Sequence, residues 1–149
     1  MRFFLAGIMQ GSHLGAVLHN QDYRSRLKAL VLEHFPGSEV YDPLADHGQS
    51  LEYNDDTGRQ VFYHHNRMCR EVDVVIAMVP EASMGTAIEM WEAHEHGRAV
   101  VLAISPLVHN WAIKFCSHAV FKDVEEFEAA VRGGQVNRLI ATKRSKPEA

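Results

Sequence analysis

The chain has 149 residues, 46% of them hydrophobic, which fits one domain built around one core. Its formal net charge is only −4, and its basic residues are scattered apart from Lys143, Arg144 and Lys146, which argues against a nucleic-acid surface. No segment reaches the roughly 20 apolar residues of a membrane span, so we expect a small-molecule partner and no membrane.

The cysteine and histidine spacings favour neither a disulfide framework nor a metal site. Cys69 and Cys116 lie far apart and are interpreted as reduced thiols of a cytoplasmic protein. The ten histidines include His64-His65 and His94-x-His96, but neither pair has the i, i+4 spacing that puts two ligands on one helix face. We therefore predict no metal and no cofactor.

The first third of the chain predicts a strand, a helix and a second strand. Strand one covers residues 2–6 and leads into a loop over residues 7–12, whose two glycines let the backbone approach a ligand closely. Apolar residues at helical spacing predict a helix over residues 22–35, with Arg24, Arg26 and Lys28 around its other, polar side. A short second strand over residues 39–43 closes at a proline.

The rest of the chain continues the alternation. Residues 44–58 are polar and predict a long surface loop, which serves as a lid or is simply mobile. Further helices are predicted over residues 59–70, 83–97, 106–114 and 123–131, and further strands over residues 72–79, 99–104 and 118–121. The domain spans residues 1–134, and residues 135–149 are predicted to be a polar, mobile tail.

Five strands that alternate with helices predict a single three-layer α/β domain of the Rossmann-like, flavodoxin-like type. Its parallel sheet carries helices on both faces. With right-handed crossovers and a strand order of 2-1-3-4-5, the strand order reverses between strands one and three. Ligands bind at the carboxyl ends of the strands at such a point, where the segments 7–12 and 83–89 both emerge.

The start of the helix after strand three carries the strongest functional signal. Ser83 can cap that helix, while Gly85 and Thr86 keep its first turn small, and the free N–H groups of such a turn favour an anion or a polar oxygen. Glu89 shares a face with Thr86, and helical side chains lean toward the N-terminus, so its carboxylate is predicted to reach the mouth of the turn. The alternative is an ordinary cap followed by a solvated glutamate.

The segment Ser83-Met84-Gly85-Thr86-Ala87-Ile88-Glu89, after Asp73-Val74-Val75-Ile76-Ala77, resembles the signature of the nucleoside 2-deoxyribosyltransferase family and its nucleotide N-glycosidase relatives. The resemblance covers most of residues 2–104 and implies the same strand order. It also implies that Glu89 is the nucleophile at the anomeric carbon and forms a covalent glycosyl ester. If water resolves that ester the protein is a hydrolase, and if a second base does so it is a transferase.

The resemblance implies how the 5' end of the sugar is held. Transferases that act on free nucleosides carry an aspartate at the position of Ser83, whereas the nucleotide-cleaving relatives have a serine, which does not repel a phosphate. We therefore expect a nucleoside 5'-monophosphate, although Gln10 and His13 stand where the nucleotide hydrolases have arginines. The predicted substrate-binding residues are Phe4, Gly7, Met9, Gly11, Ser12, Ser83, Gly85 and Thr86.

Two further departures from the family pattern concern the sugar and the base. Phe4 replaces the tyrosine of deoxyribose-preferring members, which favours acceptance of ribose unless Phe4 is simply core. His65 lies eight residues before Asp73, where the family has an aspartate that handles the base or its proton; it is a candidate proton donor near neutral pH or a surface helix residue. Asn110 and Trp111, after strand four, are expected to complete a neighbouring subunit's site, which implies at least a homodimer.

The sequence thus predicts a cytoplasmic, metal-independent enzyme that hydrolyses a nucleoside 5'-monophosphate to free base and sugar 5-phosphate. Base exchange between deoxynucleosides is the alternative within the same chemistry. A non-catalytic nucleotide-binding domain is the alternative of another class, since fold does not fix function. Neither the base nor the choice between ribose and deoxyribose follows from the sequence.

Overall fold

A computed structural model describes residues 1–9, 18 and 20–145 of the chain. Gly7 and Met9 at the start of the predicted ligand loop are therefore described. Gly11 and Ser12, predicted to bind substrate, and the neighbouring Gln10 and His13 lie outside the described residues.

One parallel sheet organises the fold, with strand order β2-β1-β3-β4-β5. Its strands are β1 (Arg2–Gly7), β2 (Glu39–Tyr41), β3 (Val74–Met78), β4 (Val100–Ile104) and β5 (Ala119–Phe121). The inner strands β1, β3 and β4 are apolar almost without interruption because helices cover both faces of the sheet, which leaves no face for polar residues. The predicted fold class and strand order are confirmed.

Helices in the described part of the chain cover both faces of this sheet. They are α1 (Tyr23–His34), α2 (Pro43–Asp46), α3 (Asp55–Glu71), α4 (Met84–Glu95), α5 (Trp111–Phe115), α6 (Val124–Arg132) and α7 (Gln135–Ser145). The first, sixth and seventh pack with Phe3 and Leu5 on one face, and α3, α4 and α5 pack with Phe4 and Ala6 on the other. None of the described helices has the length and apolarity needed to cross a membrane.

The predicted loop over residues 44–58 is largely helical. Residues 43–46 form α2, Ser50–Glu52 form a 3₁₀ turn, and α3 starts at Asp55 rather than at residue 59. Asn54 sets this earlier start, because its side-chain oxygen accepts the N–H of Thr57 at 2.9 Å. Asp55 and Asp56 in the first turn also favour the helix dipole, so polar composition here reflects a helix start rather than a loop.

The predicted mobile tail is likewise corrected by the structure. Residues 135–145 form α7, and Val136 and Ile140 on its inner face are 1% and 4% exposed within the core. These two residues are spaced by four, which is the helical repeat of a narrow apolar stripe. The basic residues around that stripe led to the prediction of a solvent-exposed tail. Because α7 packs on the core, the domain extends to at least residue 145.

Arg24 is buried, although the helical pattern placed it on the polar side of α1. It is only 2% exposed and donates from Nη1 to the Leu5 carbonyl at 3.0 Å and to Asp42 Oδ1 at 2.9 Å. Its Nη2 donates to the Gly7 carbonyl at 3.3 Å, and its Nε donates to Gln21 Oε1 at 2.6 Å. One guanidinium thus ties the carboxyl end of β1 to the residue that follows β2.

Replacing Arg24 is expected to destabilise the fold strongly. Arg24→Met leaves the Asp42 carboxylate without its cation and two strand carbonyls without a donor, so we expect a loss of about 3 kcal/mol in the free energy of unfolding, measured by urea denaturation. Arg26→Met is the matched control, because Arg26 forms solvent-exposed pairs with Glu125 and Glu128 and should change stability little. Equal losses for the two variants would contradict this account.

Candidate functional site

The strand order reverses between β1 and β3, and their carboxyl ends lie side by side. Gly7 at the end of β1 pairs with Met78 at the end of β3, and the N–H of Ile8 donates to the Met78 carbonyl at 3.1 Å. A Cβ at Gly7 would lie 2.0 Å from the Tyr23 hydroxyl, so any larger residue here would have to displace the Tyr23 ring. The chain leaves β3 and enters α4 at this same edge, which makes it the ligand crevice expected of such a sheet.

The first turn of α4 is built around two hydroxyl groups. Ser83 caps the helix, because its Oγ accepts the N–H of Thr86 at 3.4 Å and also lies 3.0 Å from Thr86 Oγ1. Thr86 is buried, and a Cβ at Gly85 would meet no atom within 4 Å, so the turn is open beside Gly85. The predicted capping role of Ser83 is therefore present, and its contact with a phosphate stays a prediction.

Glu89 lies one turn further along α4 and is half-buried there. Burial raises the pKa of Glu89 to about 8, although the positive charge of Arg24 acts to lower it. Glu89 forms no hydrogen bond or ion pair with the residues that the structure describes. Burial is the main cause that raises the pKa of Tyr23 on α1 and of Cys69 on α3, and the charge of Glu89 adds to both shifts.

This position links Glu89 to the glycine end of β1. Arg24 acts on the Glu89 charge and at the same time binds the carbonyl of Gly7. Glu89 is half-buried, and burial raises the pKa of its carboxyl group, so it differs from a fully solvated helix glutamate. A desolvated acid with no partner, at the switch point of an α/β sheet, is a candidate for reaction chemistry.

His65 is buried beside the end of β2, where a ring of aromatic groups surrounds it. Its Nε2 lies 3.1 Å from the Tyr41 hydroxyl, and its ring centroid lies 5.1 Å from that of His47 and 6.0 Å from that of Phe4. Burial, with His47 and His64 as further contributors, lowers the pKa of His65 to about 4. The surface-residue alternative is wrong, because His65 is buried. A lowered pKa favours the neutral form of the ring near pH 7, and a part for His65 in handling the base stays a prediction.

Phe4 is core rather than ligand surface. It is 0% exposed, and its ring stacks on Tyr41 with centroids 5.5 Å apart and planes 21° from parallel. The expected contact between Phe4 and the sugar is thus corrected, because Tyr41 covers the ring. The core alternative for Phe4 describes the structure.

Three aromatic residues next to His65 were not predicted as site residues. Tyr41 ends β2, and the Tyr53 hydroxyl lies 2.9 Å from His47 Nδ1. His47 and Tyr53 flank the 3₁₀ turn, in the segment predicted as a loop. These residues come together because that segment folds back over α3, and no hydrophobic periodicity in the sequence predicts this. Only Tyr41 could have been proposed from the sequence, because it lies at the end of a predicted strand.

Asn110 and Trp111 lie on the far side of α4 from this aromatic ring. Asn110 caps α5, since its Oδ1 accepts the N–H of Ala112 at 3.0 Å and that of Ile113 at 3.3 Å. Trp111 is 77% exposed. Asn110 and Ser83 also border an apolar cavity of about 180 Å³ between α4 and α5. Within this chain Asn110 and Trp111 therefore do not contact Glu89, and their contribution to a second subunit stays a prediction.

Another cavity, of about 340 Å³, opens at the opposite end of the sheet. It is bordered by Arg2 and Glu39 at the amino ends of β1 and β2, by Glu71 at the end of α3 and by Tyr41 at the end of β2. Glu89 is not among its lining residues. Within residues 1–9, 18 and 20–145, no three His, Cys, Asp or Glu side chains are grouped so as to hold a metal ion.

Fold and site together define a flavodoxin-like α/β domain with a desolvated glutamate at its ligand crevice, and two solved structures share that fold. The 2-deoxyribosyltransferase of the psychrotolerant bacterium Bacillus psychrosaccharolyticus superposes with a TM-score of 0.64 at 19% identity, over 88% of this chain and 96% of that chain. The Clostridium botulinum CMP N-glycosidase BcmB superposes with a TM-score of 0.53 at 19% identity, over 89% of this chain and 98% of that chain. The fold implied by the sequence resemblance is thereby confirmed. No protein-family model and no curated protein matches the sequence.

Glu89→Gln is expected to stabilise the protein in a pH-dependent way. With a folded-state pKa of about 8 against an ordinary 4.5, the folded state keeps a proton that the unfolded state has lost, so stability falls as pH rises through that window. The Glu89→Gln variant does not have this loss, so its advantage in unfolding free energy over wild type should grow by on the order of 3 kcal/mol between about pH 5 and about pH 8. Chemical denaturation at several pH values measures it, and a pH-independent difference would contradict the burial of this carboxyl group.

Proposed function

We propose that this protein hydrolyses the N-glycosidic bond of a nucleoside 5'-monophosphate, with Glu89 as the nucleophile. The observation that carries the proposal is the desolvated Glu89 carboxyl group at the crevice between β1 and β3, with no hydrogen-bond partner among the described residues. The two proteins of shared fold, by their names a 2-deoxyribosyltransferase and a CMP N-glycosidase, support this choice of bond. The activity is thus that of an N-glycosidase.

The chemistry proceeds in two displacements at the anomeric carbon. The Glu89 carboxylate attacks that carbon, and the bond to the base breaks, so that the base leaves with the electron pair and takes up a proton from solvent, which the attacking water of the second step returns. The resulting glycosyl ester is then attacked by water at the same carbon, which releases the sugar 5-phosphate and restores the carboxylate. Because attack needs the ionised carboxylate, and the pKa of Glu89 is about 8, kcat/KM should rise with pH up to about pH 8.

The base is proposed to lie against the ring of aromatic residues at the end of β2. His65 is neutral there and paired with the Tyr41 hydroxyl, so it acts as a hydrogen-bond partner of the base rather than as a charged acid. Tyr41 and His47 add flat surfaces beside it, which suit a planar heterocycle.

The 5'-phosphate is proposed to bind at the first turn of α4. Ser83 and Thr86 supply two hydroxyl groups, and α4 is a helix of 12 residues with no acidic residue in its first turn. The dipole and free N–H groups of such a terminus favour a phosphate, and a serine cap does not repel it. Gly7, Met9, Gly11, Ser12 and Gly85 complete the proposed substrate-binding set.

Base exchange is a second candidate function. It is favoured by the superposition with the 2-deoxyribosyltransferase, whose TM-score of 0.64 exceeds the 0.53 of the CMP N-glycosidase. The first displacement is common to both reactions. They differ only in whether water or a second base attacks the ester, so supplying a second base separates them.

A panel of nucleosides and their 5'-monophosphates, assayed for free base by chromatography, tests the activity. Wild type is expected to release base from a monophosphate, and Glu89→Gln to lose at least about 10³-fold in turnover while keeping its affinity for the nucleotide, because the covalent nucleophile is gone. Ser83→Asp is expected to lower activity on the monophosphate and spare the free nucleoside, because it places a negative charge beside the phosphate.

Three results would decide against parts of this proposal. Appearance of a new nucleoside when a second base is supplied would mean base exchange. Tight nucleotide binding with no base released, and no difference between wild type and Glu89→Gln, would favour a non-catalytic nucleotide-binding domain. A preference of wild type for free nucleosides would contradict the phosphate site at Ser83.

A homodimer is proposed as the working assembly. An apolar face covers the neighbouring helices α4 and α5 and the turn before α5. Its members are Met84, Ile88, Trp91, Val108, Trp111 and Phe115, which are between 41% and 84% exposed. Exposed apolar faces of this kind mark interaction sites. A second copy is the proposed occupant, because the sequence resemblance implies that Asn110 and Trp111 complete a neighbour's site.

Ile88→Lys is expected to break this dimer. A charged side chain at the centre of the face must lose its hydration when the face is covered, so the variant should be monomeric and less active, as measured by light scattering during gel filtration. Leu32→Lys on α1 is the matched control, because Leu32 is 47% exposed, close to the 41% of Ile88, and lies on the other side of the sheet. A monomeric wild type, or a dimeric Ile88→Lys, would overturn the proposed interface.

A further inference from the structure

Asn66 on α3 carries a buried polar atom that has no partner. The residue is 7% exposed, and its Nδ2 donates to the Phe62 carbonyl one turn earlier at 2.9 Å. Its Oδ1 is buried and receives no hydrogen bond from the described part of the chain. Leaving such an atom unsatisfied costs about 1–3 kcal/mol, so its retention calls for an explanation.

The packing of α3 against α4 puts Asn66 level with Glu89. Both helices lie on the same face of a parallel sheet and both return from the carboxyl ends of strands, so they run parallel to each other. An ion pair between Arg70 of α3 and Glu92 of α4 fixes their register. One turn back from this pair, toward the crevice, α3 presents Asn66 and α4 presents Glu89.

Cys69 supports this placement from a second direction. It lies three residues after Asn66 and is fully buried, and burial is the main cause that raises its pKa; the charge of Glu89 adds to the shift more than that of Glu92. This agrees with the helix register, which puts Glu89 beside the stretch of α3 that contains Asn66 and Cys69. Thiols accept and donate hydrogen bonds only weakly, so the amide of Asn66 is the stronger polar partner on that stretch.

The amide suits both protonation states of Glu89. A protonated carboxyl group has an O–H to donate, which the free Oδ1 of Asn66 can accept. An ionised carboxylate only accepts, and the NH₂ group has a second N–H to donate to it while the first stays on the Phe62 carbonyl. One side chain can thus hold the carboxyl group before and after it loses its proton.

We propose that Asn66 is a positioning residue, whose amide hydrogen-bonds the Glu89 carboxyl group and orients it toward the crevice. An effect of Asn66 on turnover rests on the proposed function, whereas the hydrogen bond between Asn66 and Glu89 does not depend on it. The other titratable groups that bear on this carboxyl group are Arg24 and Tyr23 of α1, Cys69 and Arg70 of α3, and Glu92 of α4.

The first experiment follows the ionisation of Glu89 without any substrate. Protein labelled with ¹³C at its glutamate carboxyl groups is titrated by NMR, and the Glu89 signal is the one missing from Glu89→Gln. In Asn66→Leu the Glu89 pKa should rise by about one unit, a tenfold shift in ionisation, because a donor to the carboxylate is lost. Asn137→Leu on α7 is the matched control, because it is the same substitution at an exposed and remote position. It should leave the pKa of Glu89 unchanged.

Asn66→Asp is the second variant and keeps the shape of the side chain if the leucine is not accommodated. A carboxylate opposite Glu89 repels the second negative charge, so the Glu89 pKa should rise further than in Asn66→Leu. An unchanged or lowered pKa of Glu89 in both variants would overturn the proposal.

The second experiment measures catalysis. Asn66→Leu should lower kcat about 10- to 100-fold, leave KM within about twofold, and move the acidic limb of the pH profile upward by about one unit. An unchanged kcat would overturn the positioning role. The two proposals fail in different ways. If wild type releases no base but the Glu89 pKa is shifted in Asn66→Leu, the glycosidase activity is contradicted and the Asn66–Glu89 hydrogen bond is supported. If wild type releases base but the Glu89 pKa is unshifted in Asn66→Leu, the hydrogen bond is contradicted and the glycosidase activity is supported.

Discussion

The burial of one guanidinium, that of Arg24, is the constraint on which the site depends. Arg24 binds the carbonyls of Leu5 and Gly7 and the carboxylate of Asp42, so the ends of β1 and β2 hold a fixed position at the switch point of the sheet. The same positive charge acts on Glu89. A structural cation thus sets the edge of the crevice and partly offsets the cost of an acidic group beside it.

Glu89 illustrates how a site conflicts with the stability of its own fold. A helix residue at this position gains nothing from a carboxyl group that burial holds in its protonated form, and an apolar or amide side chain would fit with less cost. Desolvation is useful if the group must ionise and then attack carbon, because water no longer shields it. The hydroxyl groups at the turn of α4 and the hydrogen-bonded rings at the end of β2 are the groups to which we assign the phosphate and the base.

The sheet could be predicted from the sequence because its signals are local. Runs such as Val74–Met78 and Val100–Ile104 are apolar throughout and alternate with helical patterns, so strand number, order and the crevice follow from general rules. The cap at Ser83 was local as well.

Burial was harder to predict from the sequence. Arg24 looks like any surface arginine on a helix, and its burial depends on Asp42, which follows another strand. The lowered pKa of His65 likewise depends on burial beside His47 and Tyr41, and no hydrophobic periodicity in the sequence predicts that these residues meet. In α7 only two buried residues stand among basic neighbours, and such a narrow apolar stripe was not enough to predict that this helix packs on the core.

The proposed attack of Glu89 on the anomeric carbon, with the sugar then carried covalently, can be tested directly. A nucleoside monophosphate whose sugar bears a 2'-fluorine slows resolution of the ester, and mass spectrometry of the intact protein then detects what has accumulated. The account predicts a single added sugar phosphate per chain, located on the peptide that contains Glu89 and absent from Glu89→Gln. Turnover of the ordinary nucleotide with no adduct from the fluorinated one, or with an adduct on another residue, would contradict it.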